Sequence, residues 1–486
     1  MYCAKAGLYL WYHALFLGTI SFQVKCCSVS DFGAVPDNKT DNSVAFRKAA
    51  EACAGGEMLV PPGIWMTGPF NISSNTILRV EGTISGSQNP SLYPIVTQQP
   101  LDEAYRAPWK KNRQRQALIS AYSSTNITIT GSGIINGNGW PWWNNQTSQG
   151  CRGFHKPSWQ PGPNQTACLI QRPKLVEFVD CTHVNLLGTS SDKWLTLSNS
   201  PFWTFHPVFC RHVRAQYVNF FAPRDHGNTD GVDPDSCDDV HVSDVLIDVG
   251  DDAVSVKSGL HWRTHRKVPA QNYLFERTTI LFRNFAIGSD VSGDVRNITF
   301  RDSRIGDDLG SAPWAVKIKT DSQEGGVVDG VFFLNVTIGN ITYCGSSRPV
   351  FTPPHSPKDS CYPRQRGAQM LDINMGYGES CHMLTRTTQT LHPITEIVCP
   401  SDPHAGLPPT NPGRVSNIVF DGLRGIGPTG NMMGARGLPN ASGCPNCVEH
   451  IVNLTLSNID LKQVGDGFSQ RTTSYEHLQC RVGACM

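Results

Sequence analysis

The sequence predicts an all-β chain wound as a parallel β-helix, with one short helix near its N-terminus. A strand phrase that recurs down the chain, turn residues that close each phrase, and the lack of helical periodicity between phrases carry this reading. "CTHVNLL" begins at Cys181, "CRHVRAQYV" at Cys210 and "CDDVHVSDVLI" at Cys237, so these anchors lie 29 and then 27 residues apart. "GDVRNITFRDSRI" follows from Gly293, "DGVFFLNVTI" from Asp329, "VSNIVFDGLRGI" from Val415 and "VNLTLSNIDL" from Val452. Each alternates β-branched or aromatic residues with polar ones and then meets Asn, Asp or Gly. Short strands at that spacing stack as rungs, each closing its ladder hydrogen bonds on the next, so only the ends need covering. A propeller would need four longer strands in each blade of ~40–45 residues, joined by antiparallel hairpins. Asn-Gly hairpin signals are sparse here.

The helix is expected over residues 41–56, "DNSVAFRKAAEACAGG". Asp41 is placed to cap it, Val44, Ala45, Ala49 and Cys53 share a face, and Gly55-Gly56 stop it. Set before the first rungs, it would close the open apolar end of the stack. The stretch 345–413, rich in Pro, Ser and His, reads as a long excursion from the rungs. No linker is long enough to separate two domains, so residues 27–486 are expected to form one β-helix domain.

Charged residues make up 17% of the 486, below the roughly 25% usual for soluble domains. Net charge is +1 and no basic run occurs, so a nucleic-acid footprint is absent and any anionic partner must meet local Arg and Lys. The N-terminus places Lys5 before an apolar stretch from Leu8 to Phe22, the length of a signal-peptide core and short of the ~20 apolar residues of a spanning helix. Residues 1–26 are therefore expected to be a signal peptide, cut near Cys26, with no stable membrane insertion. Seventeen cysteines fit an oxidising compartment where disulfides are the default. Cys444/Cys447 and Cys480/Cys485 are spaced for local loops, and a zinc site at the first pair lacks a second pair at ribbon spacing. Ten Asn-x-Ser/Thr sequons occur, at Asn38, Asn71, Asn126, Asn145, Asn164, Asn297, Asn335, Asn340, Asn440 and Asn453. Export as a monomeric glycoprotein follows as the expectation.

Two acidic phrases stand out. "NTDGVDPDS" at 228–236 holds three aspartates and "GDDAVSVKSG" adds two from Asp251. Carboxylates so close repel one another, and a solvated loop, a calcium site or a catalytic cleft could each hold them. The phrases on either side bear on the choice. "SVSDFGAVPDNKTDNSVAFRKAAEAC", "VPPGIWMTGPF", "NITITGSGIINGNGWPWW", the two acidic phrases, "IGSDVSGDVRNITFRDS" and "VKIKT" occur in that order. In this the chain resembles glycoside hydrolase family 28, the polygalacturonase-like enzymes, along its mature length. The wording is closest to the plant-type and bacterial-type branch. The resemblance implies a single-stranded right-handed parallel β-helix of the pectin lyase-like kind and a secreted hydrolase acting on pectin. It implies inversion of configuration, no cofactor and no metal.

Hydrolysing a glycosidic bond needs an acid to protonate the leaving oxygen and a carboxylate to activate water. By resemblance these roles fall on Asp251 as acid, with Asp230 and Asp252 holding and activating the water. Neighbouring residues on a regular strand face opposite ways, so Asp251 and Asp252 need a bend, which Gly250 permits. Asp233 and Asp235 read as turn formers or as part of a substrate subsite. Lys317 and Lys319, two apart, share one strand face. Lys319 matches the family, whereas Lys317 stands where the family has Arg and forgoes bidentate pairing with a carboxylate. Phe282-Arg283-Asn284 replaces the Gly-His-Gly of well-studied relatives, and Arg283 cannot shuttle protons near neutral pH. Asn228, Lys317, Lys319, Arg283, His226 and Tyr377 complete the set of candidate substrate-binding residues. The competing expectations are a calcium-dependent lyase, a non-catalytic pectin binder, and a hydrolase of rhamnogalacturonan or xylogalacturonan.

Overall fold

The computed structural model describes residues 26–95, 115–143, 172–259, 268–307, 314–320 and 326–339, with shorter stretches between 344 and 478. The chain winds as a right-handed parallel β-helix. Cys26–Ser28 opens the ladder against Glu57–Val60, in parallel register from Cys26 opposite Glu57. The rungs read from the sequence then follow one another: Thr182–Gly188 on Arg211–Phe221, then Asp238–Asp248, Ala270–Phe282, Val295–Ile305, Val327–Ile338, Arg414–Asp421 and Ile451–Ser457.

Several strands run longer than a rung side should, up to the 13 residues of Ala270–Phe282. They bend without breaking, because single residues in left-handed backbone turn the corner. Asn272 (φ 62°) and Arg277 (φ 47°) do so within that strand. In register with Asn272 on other rungs stand Asn126, His183, His212, Asp239, Asn297, Asn417 and Asn453, all at positive φ. Asn is among the few residues that tolerate this conformation, and its amide also bonds along the corner. Asn297 Nδ2 donates to Asn272 Oδ1 at 2.9 Å and Asn453 Nδ2 to Asn417 Oδ1 at 3.0 Å.

Inward-facing residues stack in columns. Phe285 meets Phe275 and Phe300 at 5.1 Å and Phe333 at 5.4 Å, and Phe333 lies flat on Phe420 at 4.8 Å. Burial of such rings stabilises the stack at about 25 cal/mol per Å² of apolar surface removed from water.

The helix spans Ser43–Ala52, and Asp41 Oδ1 accepts the Ser43 N–H at 2.9 Å. Its buried face differs from the expected one. Val44 is 58% exposed, whereas Phe46 is fully buried with its ring 5.3 Å from that of Phe70. The larger side chain takes the end of the core and turns Val44 outward. Cys53 is bridged to Cys27, tying the helix to the first rung. Cys181, Cys210 and Cys237 are unbridged, buried thiols in successive rungs, where they bond to backbone: the Cys210 N–H donates to Cys237 Sγ at 3.3 Å. The excursion 345–413 is interrupted by a rung, Gln369–Asn374, parallel to Trp314–Lys319, and also holds an antiparallel pair, His382–Arg386 with Ile394–Val398. The four cysteines expected to form local loops near the C-terminus lie outside the described residues, as do residues 1–25. Among the described residues no helix is long and apolar enough to cross a membrane.

Candidate active site

One face of the helix carries the candidate residues. Its strands form two ladders, Phe70–Asn71, Ile119–Tyr122, Val176–Val179 and Phe205–Val208, then Val254–Val256, Phe285–Ile287, Trp314–Lys319, Gln369–Asn374 and Met433–Arg436. Between them runs "NTDGVDPDS". It pairs with the ladders at isolated bridges, Phe205 to Val232 to Val254 and Val208 to Asp235 to Lys257, with backbone hydrogen bonds to the rungs on both sides. Gly231, Pro234 and three aspartates make a poor strand, and Pro234 has no N–H to give.

Asp230 lies at the start of that rung, its carbonyl accepting the Thr204 N–H at 2.9 Å, and Asp251 and Asp252 lie in the bend between Asp238–Asp248 and Val254–Val256. The expected conflict over strand facing is thus avoided. Gly250 makes the bend possible by close approach: a Cβ there would lie 2.2 Å from the His226 carbonyl oxygen and 2.4 Å from that of Pro223. Asp251, the most exposed of the three, accepts the Asn228 N–H through Oδ2 at 2.7 Å and the Asp252 N–H through Oδ1 at 3.1 Å. Asp252 is buried, receives the Asn284 amide at 3.0 Å, and is ion-paired to Lys319. Asp230 is buried, with Oδ1 lacking a hydrogen-bond partner.

These surroundings split the carboxylates. Burial, then the charges of Asp233, Asp251 and Asp252, push Asp230 well above the usual carboxylate range. Burial alone would do the same to Asp252, but Lys319, with help from Lys257 and Lys317, holds it below its ordinary value. Asp233 is no turn former. Both its oxygens are buried without a hydrogen bond, Lys257 Nζ stands 4.0 Å away, and burial drives its carboxyl up despite that lysine. Asp235 takes the Ser236 hydroxyl at 2.9 Å.

Lys317 and Lys319 share a face, as their spacing requires, with Val316 and Ile318 turned into the core. Lys317 Nζ lies 3.8 Å from the centre of the Trp314 ring and 4.0 Å from Asp372. Burial and then Lys319 pull its ammonium down to about 8. His226 is partly buried. Its ring stacks on Trp143 at 4.5 Å and meets Trp140 edge-on at 5.8 Å, and burial lowers its pKa. Its carbonyl accepts the Thr229 hydroxyl at 2.7 Å, which in turn accepts the Gly250 N–H at 3.0 Å, so His226 braces the bend through its backbone. Arg283 lies over Phe282 at 5.2 Å, while its neighbour Asn284 is the one that touches Asp252. Tyr377 lies outside the described residues.

Three features escaped sequence reasoning. Arg172 donates to the Gly227 carbonyl at 3.0 Å and to Asn228 Oδ1 at 3.3 Å, steadying the loop that holds Asp251. Asn284 had no signal beyond its place after Arg283. Upstream on the same face, Glu177 accepts from His206 Nδ1 at 3.0 Å and pairs with Lys174, and burial keeps the His206 imidazole neutral, down to about 3. The alternation in "KLVEF" and "TFHPV" places Glu177 and His206 outward, but nothing in it pairs them.

A parallel β-helix with an acidic triplet beside lysines on one face defines a class of carbohydrate-active scaffold. The chain belongs to the Glycosyl hydrolases family 28, whose model matches residues 57–346. It is 30% identical over 341 residues to a probable polygalacturonase of Vitis vinifera, covering 67% of this chain and 63% of that one. The chain thus spans under two thirds of that relative's length. In structure it is similar to the hyperthermoactive exopolygalacturonase from Thermotoga maritima (TM-score 0.62, 21% identity, 95% and 96% of the two chains). It is also similar to the polygalacturonase from Erwinia carotovora (TM-score 0.59, 18% identity, 93% and 96%), and at such identities the likeness concerns the fold.

Proposed function

We propose that this chain is a secreted pectin hydrolase that cleaves α-1,4-galacturonosyl bonds with inversion. The observation that carries the reading is the unequal treatment of clustered carboxylates: burial pushes Asp230 up while Lys319 holds Asp252 ionised. Separated protonation states are what acid–base hydrolysis needs. Asp251, the one most open to the cleft, protonates the leaving oxygen. Asp252 accepts the proton of the attacking water, which Asp230 orients beside it. Lys319, Lys317, Arg283, Asn228, His226 and Tyr377 are assigned to substrate contacts or to their support. The lysine amines standing against Asp252 and Asp233 favour this over a calcium-dependent lyase, since they take places a cation would need.

A second reading has Asp230 as the acid, favoured by its raised pKa. α-Galacturonosyl fluoride separates the two, because fluoride leaves with little protonation. Asp251→Asn should lose at least ~10²-fold in reducing-end release on polygalacturonate yet keep most activity on the fluoride. The second reading expects Asp230→Asn to behave that way. Wild-type enzyme releasing no reducing ends from polygalacturonate, rhamnogalacturonan or xylogalacturonan would overturn both.

A further inference from the structure

Two segments must meet for the acids to share a site, and regular strand pairing stops short of both. Asp230 stands on the chain that leaves the strand Arg211–Phe221, and Asp251 and Asp252 stand on the chain that leaves Asp238–Asp248. The two strands pair in parallel as far as Phe221 opposite Asp248. Beyond that point residues 222–231 and 249–252 are tied to each other bond by bond. The Ala222 N–H donates to the Asp248 carbonyl at 2.9 Å and the Gly231 N–H to the Asp252 carbonyl at 3.1 Å. Between these ends lie the Thr229 bridge to Gly250 and the Asn228 N–H on Asp251. Gly250 is pressed against the Pro223 and His226 carbonyl oxygens. An outward swing of 223–226 therefore loosens in turn the seat of Gly250, the Thr229 bridge and the Asn228 bond.

Arg224 lies at the root of this junction. It is buried, and its fork grips Asp248 through Nε to Oδ1 at 2.6 Å and Nη2 to Oδ2 at 3.0 Å. Nη2 also donates to Asp307 Oδ2 at 3.0 Å, 83 residues on and just past the strand Val295–Ile305. The guanidinium rests 4.8 Å from the centre of the Phe282 ring, at the end of Ala270–Phe282. One side chain thus crosses the ends of four successive rungs. A bidentate fork fixes angle as well as distance, which a point charge cannot do. A buried ion pair is often no more stabilising than apolar groups of the same volume, and fixing registry is its best-attested use.

We propose that Arg224 is a positioning residue for the hydrolytic site. Clamped to Asp248 and Asp307, it sets the separation between the loop that carries Asp230 and the bend that carries Asp251 and Asp252. It therefore governs turnover more than substrate affinity. The effect on turnover rests on the proposed hydrolase reading, whereas the clamp itself can be read without substrate.

The test pairs amide exchange, followed peptide by peptide in the full chain, with steady-state hydrolysis of polygalacturonate. Arg224→Lys keeps the charge beside Asp248 and removes the fork. Peptides covering 222–231 and 249–252 are expected to exchange ~10-fold or more faster in this variant, the scale of one charge-assisted bond lost. Those of Asp238–Asp248 and Ala270–Phe282 should keep wild-type rates. In the same variant kcat should fall ~10- to 100-fold with KM within about threefold of wild type, since a reacting group displaced by about 1 Å is enough for such a loss. Asp307→Ala leaves the Asp248 pair in place and should move both readouts the same way by less. It carries the test if Arg224→Lys fails to fold. Unchanged exchange in the two segments, or faster exchange spread evenly over all rungs, would overturn the proposal. So would localised exchange with wild-type kcat. If exchange is localised as expected but the wild type releases no reducing ends from any pectic glycan, the hydrolase reading fails and the clamp between loop and bend stands.

Discussion

Replacing Lys319 by Met removes the cation that keeps Asp252 ionised inside the protein. Both groups are buried, and what remains for the carboxylate is the Asn284 amide and the weaker pull of Lys257 and Lys317. Removing one partner of a buried pair typically costs about 3–5 kcal/mol when the other stays charged. Asp252 can escape part of that cost by taking up a proton, which makes the loss depend on pH in a definite sense. In the wild type its folded pKa is depressed. Its stabilisation is therefore present above the unfolded value of ~3.9 and is lost as pH falls through the folded value. In Lys319→Met the folded value rises above ~3.9, so the contribution is present at low pH and lost as pH rises through the new value. Urea unfolding across a pH series should find the variant less stable by about 3 kcal/mol near neutrality, with the gap closing in acid. The acid limb of kcat/KM should move to higher pH, because the water-activating carboxylate now ionises later. A deficit constant across pH, with an unmoved acid limb, would refute the assignment of Lys319 as the group that sets the charge of Asp252.

Asp233 should show the opposite sign: its folded pKa is raised, so it favours the fold below ~3.9 and penalises it as pH rises through that raised value. Asp233→Asn is expected to raise the neutral-pH melting temperature and leave the acidic one unchanged; equal shifts at both would count against it. Gly250→Ala sets a Cβ 2.2 Å from the His226 carbonyl oxygen, so it should cost about 1–3 kcal/mol and displace Asp251, lowering kcat. Full activity with an unchanged melting curve would show that the bend relaxes freely. Phe46→Ala empties the end of the core and should cost about 3–5 kcal/mol, with faster amide exchange concentrated in the first rungs. Exchange that speeds up evenly along the chain would contradict the capping role.

The rungs were legible because a β-helix writes its geometry into the chain: inward residues must be apolar and corners must accept positive φ. "RNITF" and "VNLTL" carry both signals, Asn at the corner and alternation after it. The aspartates were legible because they are few, clustered and set in recognisable phrases. The helix face was misread at Val44 because periodicity locates a stripe without saying which bulky residue fills the cavity below. Phe46, off the chosen stripe, had the size to fill it. Arg172 and Asn284 gave no signal because their roles come from stacking. The loop that Arg172 steadies is 55 residues away in the chain, and Asn284 meets Asp252 across 32. The role of Lys317 was half visible, since its charge and face follow from "KIK" but its seat on Trp314 belongs to the folded state.

The rung that carries Asp230 is tied to both of its neighbours by backbone hydrogen bonds: the Phe205 and Phe209 N–H groups donate to Gly231 and Asp235 on one side, and those of Ser255 and Lys257 to Val232 and Pro234 on the other. Behind it the neighbouring face is unbroken, with Arg211–Phe221, Asp238–Asp248 and Ala270–Phe282 paired over nearly their full lengths. A stack bonded along both walls has no seam about which to bend, so strain along the axis is shared among the rungs. The spacing of the carboxylates along the axis is therefore set by the coil itself, as fixed as the pitch of its rungs. A polymer laid across this face meets a ruler already cut to length, and the work of fitting falls on the sugar chain.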